Sequence, residues 1–228
     1  MKKLSFLLTF SLLLFTACAQ KTTQKAETQS KEPEKTYYVM IETSYGNMTC
    51  KLYNETPQHR DNFLKLVREG FYNDLLFHRV INQFMIQGGD PDSRNAKPDQ
   101  MLGAGGLDYR IPAEFNKKLF HKKGALAAAR DGNPQKASSS CQFYIVQGNV
   151  WDGQRLMMLQ QQMNKQLTPE AIEAYRTIGG TPHLDMDYTV FGEVVEGLEV
   201  IDKIAAVPTG KADRPIEDVK FKISIVEK

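Results

Sequence analysis

Residues 77–91 of the chain read FHRVINQFMIQGGDP, and this stretch decides the fold. It holds two short apolar runs, Val80-Ile81 and Phe84-Met85-Ile86, which are too short for helices and read as buried strands. Gly88-Gly89-Asp90-Pro91 then breaks the pattern, because glycine and proline favour turns. Residues 88–110 stay rich in Gly, Pro, Asp and Asn, which predicts a long loop.

Strand patterns continue on both sides of this stretch. Tyr37–Thr43 is rich in β-forming residues, a turn signal follows at 44–47, and Met48, Cys50 and Leu52 alternate with polar residues, which predicts a hairpin with one buried face. Further strands are predicted at 125–129, 143–146, 190–195 and 219–225. About eight strands without regular βαβ alternation favour an antiparallel barrel or a sandwich, and the period alone does not separate the two.

Helical patterns are fewer. Thr56 can cap a helix that has Pro57 at its first position, and Gly70 is placed to end it. Residues 152–181 form a helical excursion, in which Thr168-Pro169-Glu170 starts a second helix. Gly197–Ile204 predicts one more short helix.

The N-terminus differs from the rest of the chain. Lys2 and Lys3 precede an apolar segment of about a dozen residues, which is short for a membrane span and typical of a signal peptide. Leu14-Phe15-Thr16-Ala17-Cys18 resembles a bacterial lipobox, so residues 1–17 are predicted to be a lipoprotein signal and Cys18 to be acylated. The alternative is an ordinary secretory signal with an incidental cysteine. Residues 18–35 lack a large apolar side chain and predict a flexible tether, with the folded domain at 36–228.

The composition limits the function. A net charge of +2, and no basic cluster interleaved with aromatics, argue against nucleic-acid binding. The four histidines are scattered without ligand spacing, so no metal or cofactor is predicted. Cys50 and Cys141 lie in apolar strand-like runs, which favours two free core thiols, with a disulfide as the alternative in an oxidising compartment.

The stretch at 77–91 is very similar to the cyclophilin signature, and further segments follow in the same order. They are Ile111–Phe115, His121–Leu126, Cys141–Ile145, Pro182–Asp185, Tyr188–Gly192 and Val195–Gly197. The chain therefore resembles cyclophilin-type peptidyl-prolyl cis-trans isomerases over residues 38–226. The resemblance implies a closed eight-stranded antiparallel β-barrel capped by two helices, here with a helical insertion at 152–181, and a monomer acting on proline-containing polypeptides.

The resemblance also implies the site. Arg79 matches the catalytic arginine, whose guanidinium can stabilise a prolyl amide as it twists. The apolar residues matching the proline slot are Phe84, Met85, Phe143 and Leu184. The polar groups Gln87 and Gln142 would orient the substrate and Arg79, and His78 would be a rim or positioning group. The full set of matching substrate-binding positions is His78, Phe84, Met85, Gln87, Ala128, Ala129, Arg130, Gln142, Phe143, His183, Leu184 and Tyr188.

Three positions depart from the common family pattern. His183 stands where many eukaryotic members have tryptophan, which implies weaker cyclosporin binding. Tyr188 replaces a histidine. Arg130 replaces an asparagine, which suggests a preference for acidic substrates in the outer groove.

The sequence also admits other interpretations. Without the family resemblance, Arg79 would be interpreted as a surface salt-bridge residue. The barrel could also be a module that binds proline-containing segments without catalysing turnover. A hydrolase around Ser138–Cys141 is disfavoured, because there is no G-x-S-x-G elbow and nothing in the sequence places a histidine beside those hydroxyls.

Overall fold

The computed structural model describes residues 35–227. The predicted signal segment 1–17, Cys18 and all but the last residue of the predicted tether lie outside these residues. No helix in the described range is long and apolar enough to cross a membrane.

Eleven strands are found in the described residues, all in antiparallel pairings. They are β1 Tyr37–Thr43, β2 Gly46–Leu52, β3 Leu75–Leu76, β4 Arg79–Ile81, β5 Met85–Gly88, β6 Arg110–Ile111, β7 Ala125–Ala128, β8 Ser138–Ser139, β9 Phe143–Val146, β10 Val190–Glu196 and β11 Lys220–Val226. The predicted hairpin is confirmed, with Val39 opposite Cys50 and Ile41 opposite Met48.

Nine of the strands form one curled sheet in the order β3-β11-β1-β2-β10-β7-β9-β5-β4, a half-barrel, and β6 and β8 form a separate pair. The predicted closed eight-stranded barrel is therefore wrong in both closure and strand number. Within residues 35–227 the edge strands β3 and β4 do not pair with each other. Only Phe77 and His78 separate them in the chain, so a short covalent link stands where the closed barrel would need a hydrogen-bonded ladder.

Residues 35–227 contain four α-helices, where two main helices and a helical excursion were predicted. They are α1 Pro57–Arg68, α2 Gly153–Met163, α3 Pro169–Thr177 and α4 Leu198–Ala205. Helices α1 and α4 cover one face of the sheet, while α2 and α3 make up the predicted insertion. Short 3₁₀ turns add Pro91–Ser93, Pro182–Leu184 and Lys211–Asp213.

The start of α1 differs from the prediction. Pro57 is its first residue, but the Thr56 hydroxyl makes no capping hydrogen bond. The carboxylate of Glu114, 55 residues further along the chain from His59, accepts instead from the backbone N–H groups of Gln58 and His59, each at 3.0 Å. A carboxylate suits this place because the first N–H groups of a helix lack intrahelical partners and carry partial positive charge.

The central strands bury side chains on both faces of the sheet. One face packs against α1 and α4 and contains Ile86, Leu126, Phe143 and Ile145. The opposite face contains Met85, Ala127, Tyr144 and Val146, with Phe84 and Leu184 packed against them. Because side chains alternate along a strand, neighbours such as Phe143 and Tyr144 belong to different apolar clusters.

Cys50 and Cys141 are both free and buried, as the sequence favoured. Burial raises the pKa of Cys50 to about 12, so its thiol stays protonated.

Candidate active site

A small cavity of about 110 Å³ opens on the face of the sheet opposite α1. Its walls come from β4, β5, β9, the end of β7 and the turn at Pro182–Leu184. The lining residues are Arg79, Phe84, Met85, Gln87, Ala129, Arg130, Tyr144, Leu184 and Tyr188. It is an apolar slot with a cationic edge.

Arg79 forms that edge. It lies on β4 directly opposite Gln87 on β5, and its Nη1 donates to Gln87 Oε1 at 3.4 Å. Its Nε faces Asp213 Oδ2, also at 3.4 Å. With the side chain 40% exposed, part of the guanidinium remains available to a bound peptide. Arg79 can therefore form a surface salt bridge with Asp213 and still face the cavity.

Two side-chain amides, those of Gln87 and Gln142, link Arg79 by hydrogen bonds to the backbone of the 103–105 loop. Gln87 Nε2 donates to Gln142 Oε1 at 3.0 Å. Gln142 Nε2 in turn donates to the carbonyl oxygens of Gly103 and Gly105, at 3.0 and 2.7 Å. Each amide is thereby fixed in one orientation, and Gln87 presents its oxygen to Arg79. This arrangement fits the predicted role of both glutamines.

Asp213 was missed by sequence analysis. It lies in the turn between α4 and β11, where Ala212 and Asp213 both adopt left-handed backbone conformations, with φ of 58° and 60°. Such conformations are unfavourable for residues other than glycine. The buried Arg214 ties this turn to the carbonyl oxygens of Lys97 and Gln100, and so helps to hold Asp213 beside Arg79. No sequence spacing between residues 79 and 213 could have signalled this contact.

The apolar lining of the cavity differs from the prediction at one residue. Phe84, Met85 and Leu184 line the cavity as predicted, but Phe143 does not. Phe143 is 1% exposed and packs edge-on against Phe63 and Phe77 in the core. Tyr144 takes its place in the cavity wall, because the side chain of the next residue along β9 points to the opposite face of the sheet. The strand period could have identified this shift by one residue.

The two predicted alanines, Ala128 and Ala129, likewise lie on opposite faces of the sheet. Ala129 and Arg130 line the cavity, whereas Ala128 belongs to the core cluster on the other face. The Arg130 guanidinium lies over the Tyr188 ring, 4.5 Å from its centroid, and its Nε donates to the Asp187 carbonyl oxygen at 2.8 Å. Arg130 and Tyr188 thus form one rigid wall.

The two predicted histidines lie beside the cavity without lining it. The His183 ring stacks on Phe84, with centroids 5.7 Å apart, and supports that wall from outside. His78 is 3% exposed, and burial lowers its pKa to about 4. It is therefore neutral at pH 7 and a weak base, which fits a positioning role.

Two open grooves flank the cavity and share residues with it. One, of about 480 Å³, runs along Gly103–Leu107 and includes Gln87, Ala129 and Arg130. The other, of about 590 Å³, runs past Arg79 to Lys211–Arg214. A polypeptide held at the cavity could therefore extend into these grooves.

A histidine does lie beside one of the serines at 138–140, contrary to the expectation from sequence. His59 Nε2 is 2.9 Å from Ser138 Oγ, and His59 Nδ1 is 2.6 Å from Glu114 Oε2. Both His59 and Ser138 are at most 2% exposed, and the adjoining cavity of about 10 Å³ admits no peptide. The group resembles a hydrolase triad in distances only, and it serves to join α1 to β8.

No group of three or more His, Cys, Asp or Glu side chains in the described range is arranged to hold a metal ion.

An arginine at the edge of a small apolar slot, on a curled antiparallel sheet, defines a cyclophilin-like class of protein. The model of the cyclophilin-type peptidyl-prolyl cis-trans isomerase family matches residues 38–225. The chain belongs to this family and is an enzyme of that type.

Relatives with this activity in their names occur in several bacteria. A Staphylococcus saprophyticus protein is 37% identical over 191 residues, which span 83% of this chain and 91% of the relative. A Staphylococcus aureus protein is 37% identical over 195 residues, with the same coverage. A Streptococcus pyogenes protein, named as a bifunctional phosphatase and peptidyl-prolyl cis-trans isomerase, is 38% identical over 185 residues, but the chain covers only 37% of its length.

Solved structures agree on the fold. A Cryptosporidium parvum cyclophilin superposes with a TM-score of 0.63 at 25% identity, over 85% of this chain and 99% of that one. A second structure of that protein, determined in the presence of the dipeptide Ala-Pro, gives a TM-score of 0.61 over 84% of this chain and 99% of that one.

Proposed function

We propose that the cavity beside Arg79 is where the enzyme accelerates rotation about Xaa-Pro bonds, with Arg79 as its catalytic residue. The observation that carries this is the placement of a guanidinium at the edge of an apolar slot formed by Phe84, Met85 and Leu184. The slot suits a proline ring, which has no hydrogen-bonding group of its own, and the adjoining grooves suit the rest of the peptide.

The reaction requires stabilisation of a twisted amide. The barrier to peptide-bond rotation is about 18–20 kcal/mol, because the planar amide is stabilised by resonance. Acceleration by roughly 10⁵-fold needs about 7 kcal/mol of transition-state stabilisation. No covalent bond breaks, so neither a nucleophile nor a general base is needed.

Arg79 supplies part of that stabilisation. As the amide twists, its nitrogen becomes pyramidal and gains a lone pair that a guanidinium N–H can meet. This interaction is absent from both planar ground states, so it favours the transition state selectively. Gln87 and Asp213 hold the guanidinium in position, which lowers the cost of orienting it during turnover.

Substrates are proposed to be proline-containing polypeptides. The Cryptosporidium relative was crystallised in the presence of Ala-Pro, which supports the same ligand class here. A protease-coupled assay on an Xaa-Pro peptide tests the proposal. Arg79→Ala should reduce kcat/KM by roughly 10²–10³-fold, as when one oxyanion-hole donor is lost. Full activity in a folded Arg79→Ala protein would contradict the role of Arg79, and a wild type without turnover would favour the binding-module interpretation.

We further propose that the enzyme assists folding of secreted or envelope proteins while anchored to a bacterial membrane through a lipidated Cys18. What supports this is the cationic start, short apolar segment and lipobox-like residues 14–18. Metabolic labelling with a radioactive fatty acid in a bacterial host tests it. Wild type should be labelled and membrane-bound, and Cys18→Ser should be neither. Secretion of an unlabelled wild type would instead support the ordinary signal peptide.

A further inference from the structure

The helical insertion, for which the sequence suggests no chemistry, is fixed to the rest of the domain by buried contacts. Helices α2 and α3 pack through Leu156, Ala171 and Tyr175. Trp151 Nε1 donates to the carbonyl oxygen of Gly180 at 2.9 Å. The Tyr175 ring lies so close to Gly180 that a Cβ added there would be 2.6 Å from Tyr175 Cε1.

Tyr175 begins a buried series of side-chain hydrogen bonds that ends at the cavity wall. Its hydroxyl donates to Asp185 Oδ2 at 2.7 Å. The other oxygen, Asp185 Oδ1, accepts from the backbone N–H and from Nδ1 of His121, at 2.9 and 2.8 Å. His121 Nε2 then lies 2.9 Å from the Tyr144 hydroxyl. A carboxylate accepts only, so Nδ1 of His121 carries a proton, and in the neutral ring Nε2 accepts from Tyr144.

This series of hydrogen bonds holds two walls of the cavity in place. Tyr144 is one wall, and Asp185 directly follows Leu184, which is another. Tyr175 and His121 are fully buried, and Tyr144 and Asp185 are less than 10% exposed. Burial raises the pKa of both tyrosines, so their hydroxyls remain donors. Removing any member leaves a buried polar group without its partner, which is costly.

We propose that Tyr175 of the insertion is a positioning residue for the isomerase site, acting through Asp185 and His121 on Leu184 and Tyr144. The inference rests on the proposed use of this cavity for the proline ring. The insertion would then be part of the working enzyme, because its α3 helix fixes the width of the slot.

Tyr175→Phe tests this, since it removes only the hydroxyl. The expected result is a fall in kcat/KM by roughly five-fold, the factor corresponding to one hydrogen bond. In an Asp185→Asn background, the same change should cause no further loss of kcat/KM. Trp151→Phe is the matched control, because it removes another hydrogen bond of the insertion outside this chain of contacts. It should lower the melting temperature but leave kcat/KM unchanged.

Two results would overturn the proposal. One is a Tyr175→Phe protein with a lowered melting temperature and wild-type kcat/KM. The other, decisive even where Tyr175→Phe fails to fold, is wild-type kcat/KM in a folded Asp185→Asn protein. Failure of the proposed function is distinguishable, because wild type and Arg79→Ala would then have equal rates.

Discussion

At the scale of single residues, the site depends on how one guanidinium is held. Arg79 is fixed on one side by Gln87 and on the other by Asp213, and both contacts measure 3.4 Å. The first partner could be predicted from the signature around residue 79. The second could not, because it depends on a strained turn 134 residues away.

Asp213→Ala should lower kcat/KM by about two- to five-fold, the factor that corresponds to an exposed ion pair. The reason is that Arg79 loses the acceptor that orients its Nε. Asp213→Asn should recover most of the activity, because its amide oxygen still accepts from that N–H. The protease-coupled assay measures all three proteins.

Asp202→Asn is the matched control. Asp202 lies on α4, pairs with Lys123 and is similarly exposed, 45% against 46% for Asp213, but it is not part of the cavity lining. Its kcat/KM should equal that of wild type. An Asp213→Ala protein as active as wild type would show that Gln87 alone positions Arg79.

At the same scale, the predicted site residues Arg79, Phe84, Met85, Gln87 and Leu184 lie together around one cavity. The prediction selected Phe143 instead of Tyr144 and included Ala128, which faces the core. Each of these two residues is one position away from the residue on the cavity face, because side chains alternate along a strand. The network through His121 and Tyr175 joins distant segments and has no local signal.

At the scale of elements, patterning predicted the strands of three or more residues and missed those of two. In the hairpin, Met48, Cys50 and Leu52 of β2 alternate with polar residues, and the seven residues of β1 lie in a stretch rich in β-forming residues. Strands β3 and β8 have only two residues each, too few for any period. Strand β3, which forms one edge of the large sheet, therefore escaped prediction, and the family resemblance implied a closed barrel.

The cap on α1 gives a prediction at this scale. Glu114→Ala should lower the free energy of unfolding by about 2–3 kcal/mol, because three donors from Gln58 and His59 lose their acceptor. Urea unfolding measures the change. Glu173→Gln, on the exposed side of α3, is the control and should stay within about 0.5 kcal/mol of wild type. Equal stabilities for both variants would mean that Glu114 does not cap α1.

At the scale of the whole molecule, stability should decrease as the pH falls below neutrality. Burial lowers the pKa of His59 and lowers that of His78 to about 4, whereas an unfolded histidine titrates near 6.5. Between these values the unfolded chain binds protons that the folded chain does not, so acid favours unfolding. From pH 7.5 to 5, His78 alone should cost about 2 kcal/mol.

Urea unfolding midpoints at pH 7.5, 6 and 5 measure this loss. His78→Gln should make stability less dependent on pH, since glutamine does not titrate. A wild type with the same stability at all three pH values would contradict the burial of His78 as a neutral ring.

At this scale we propose that the half-barrel holds the Arg79 guanidinium beside an apolar slot, and that this cation acts on the twisted amide. Exchange NMR on an Xaa-Pro peptide at equilibrium is the most direct test, because it yields both the peptide's Kd and the catalysed exchange rate. For Arg79→Ala the account predicts a Kd within about three-fold of wild type and exchange slower by roughly 10²-fold or more. A Kd weakened as much as the exchange rate would contradict it, because Arg79 would then stabilise the ground state and the transition state equally.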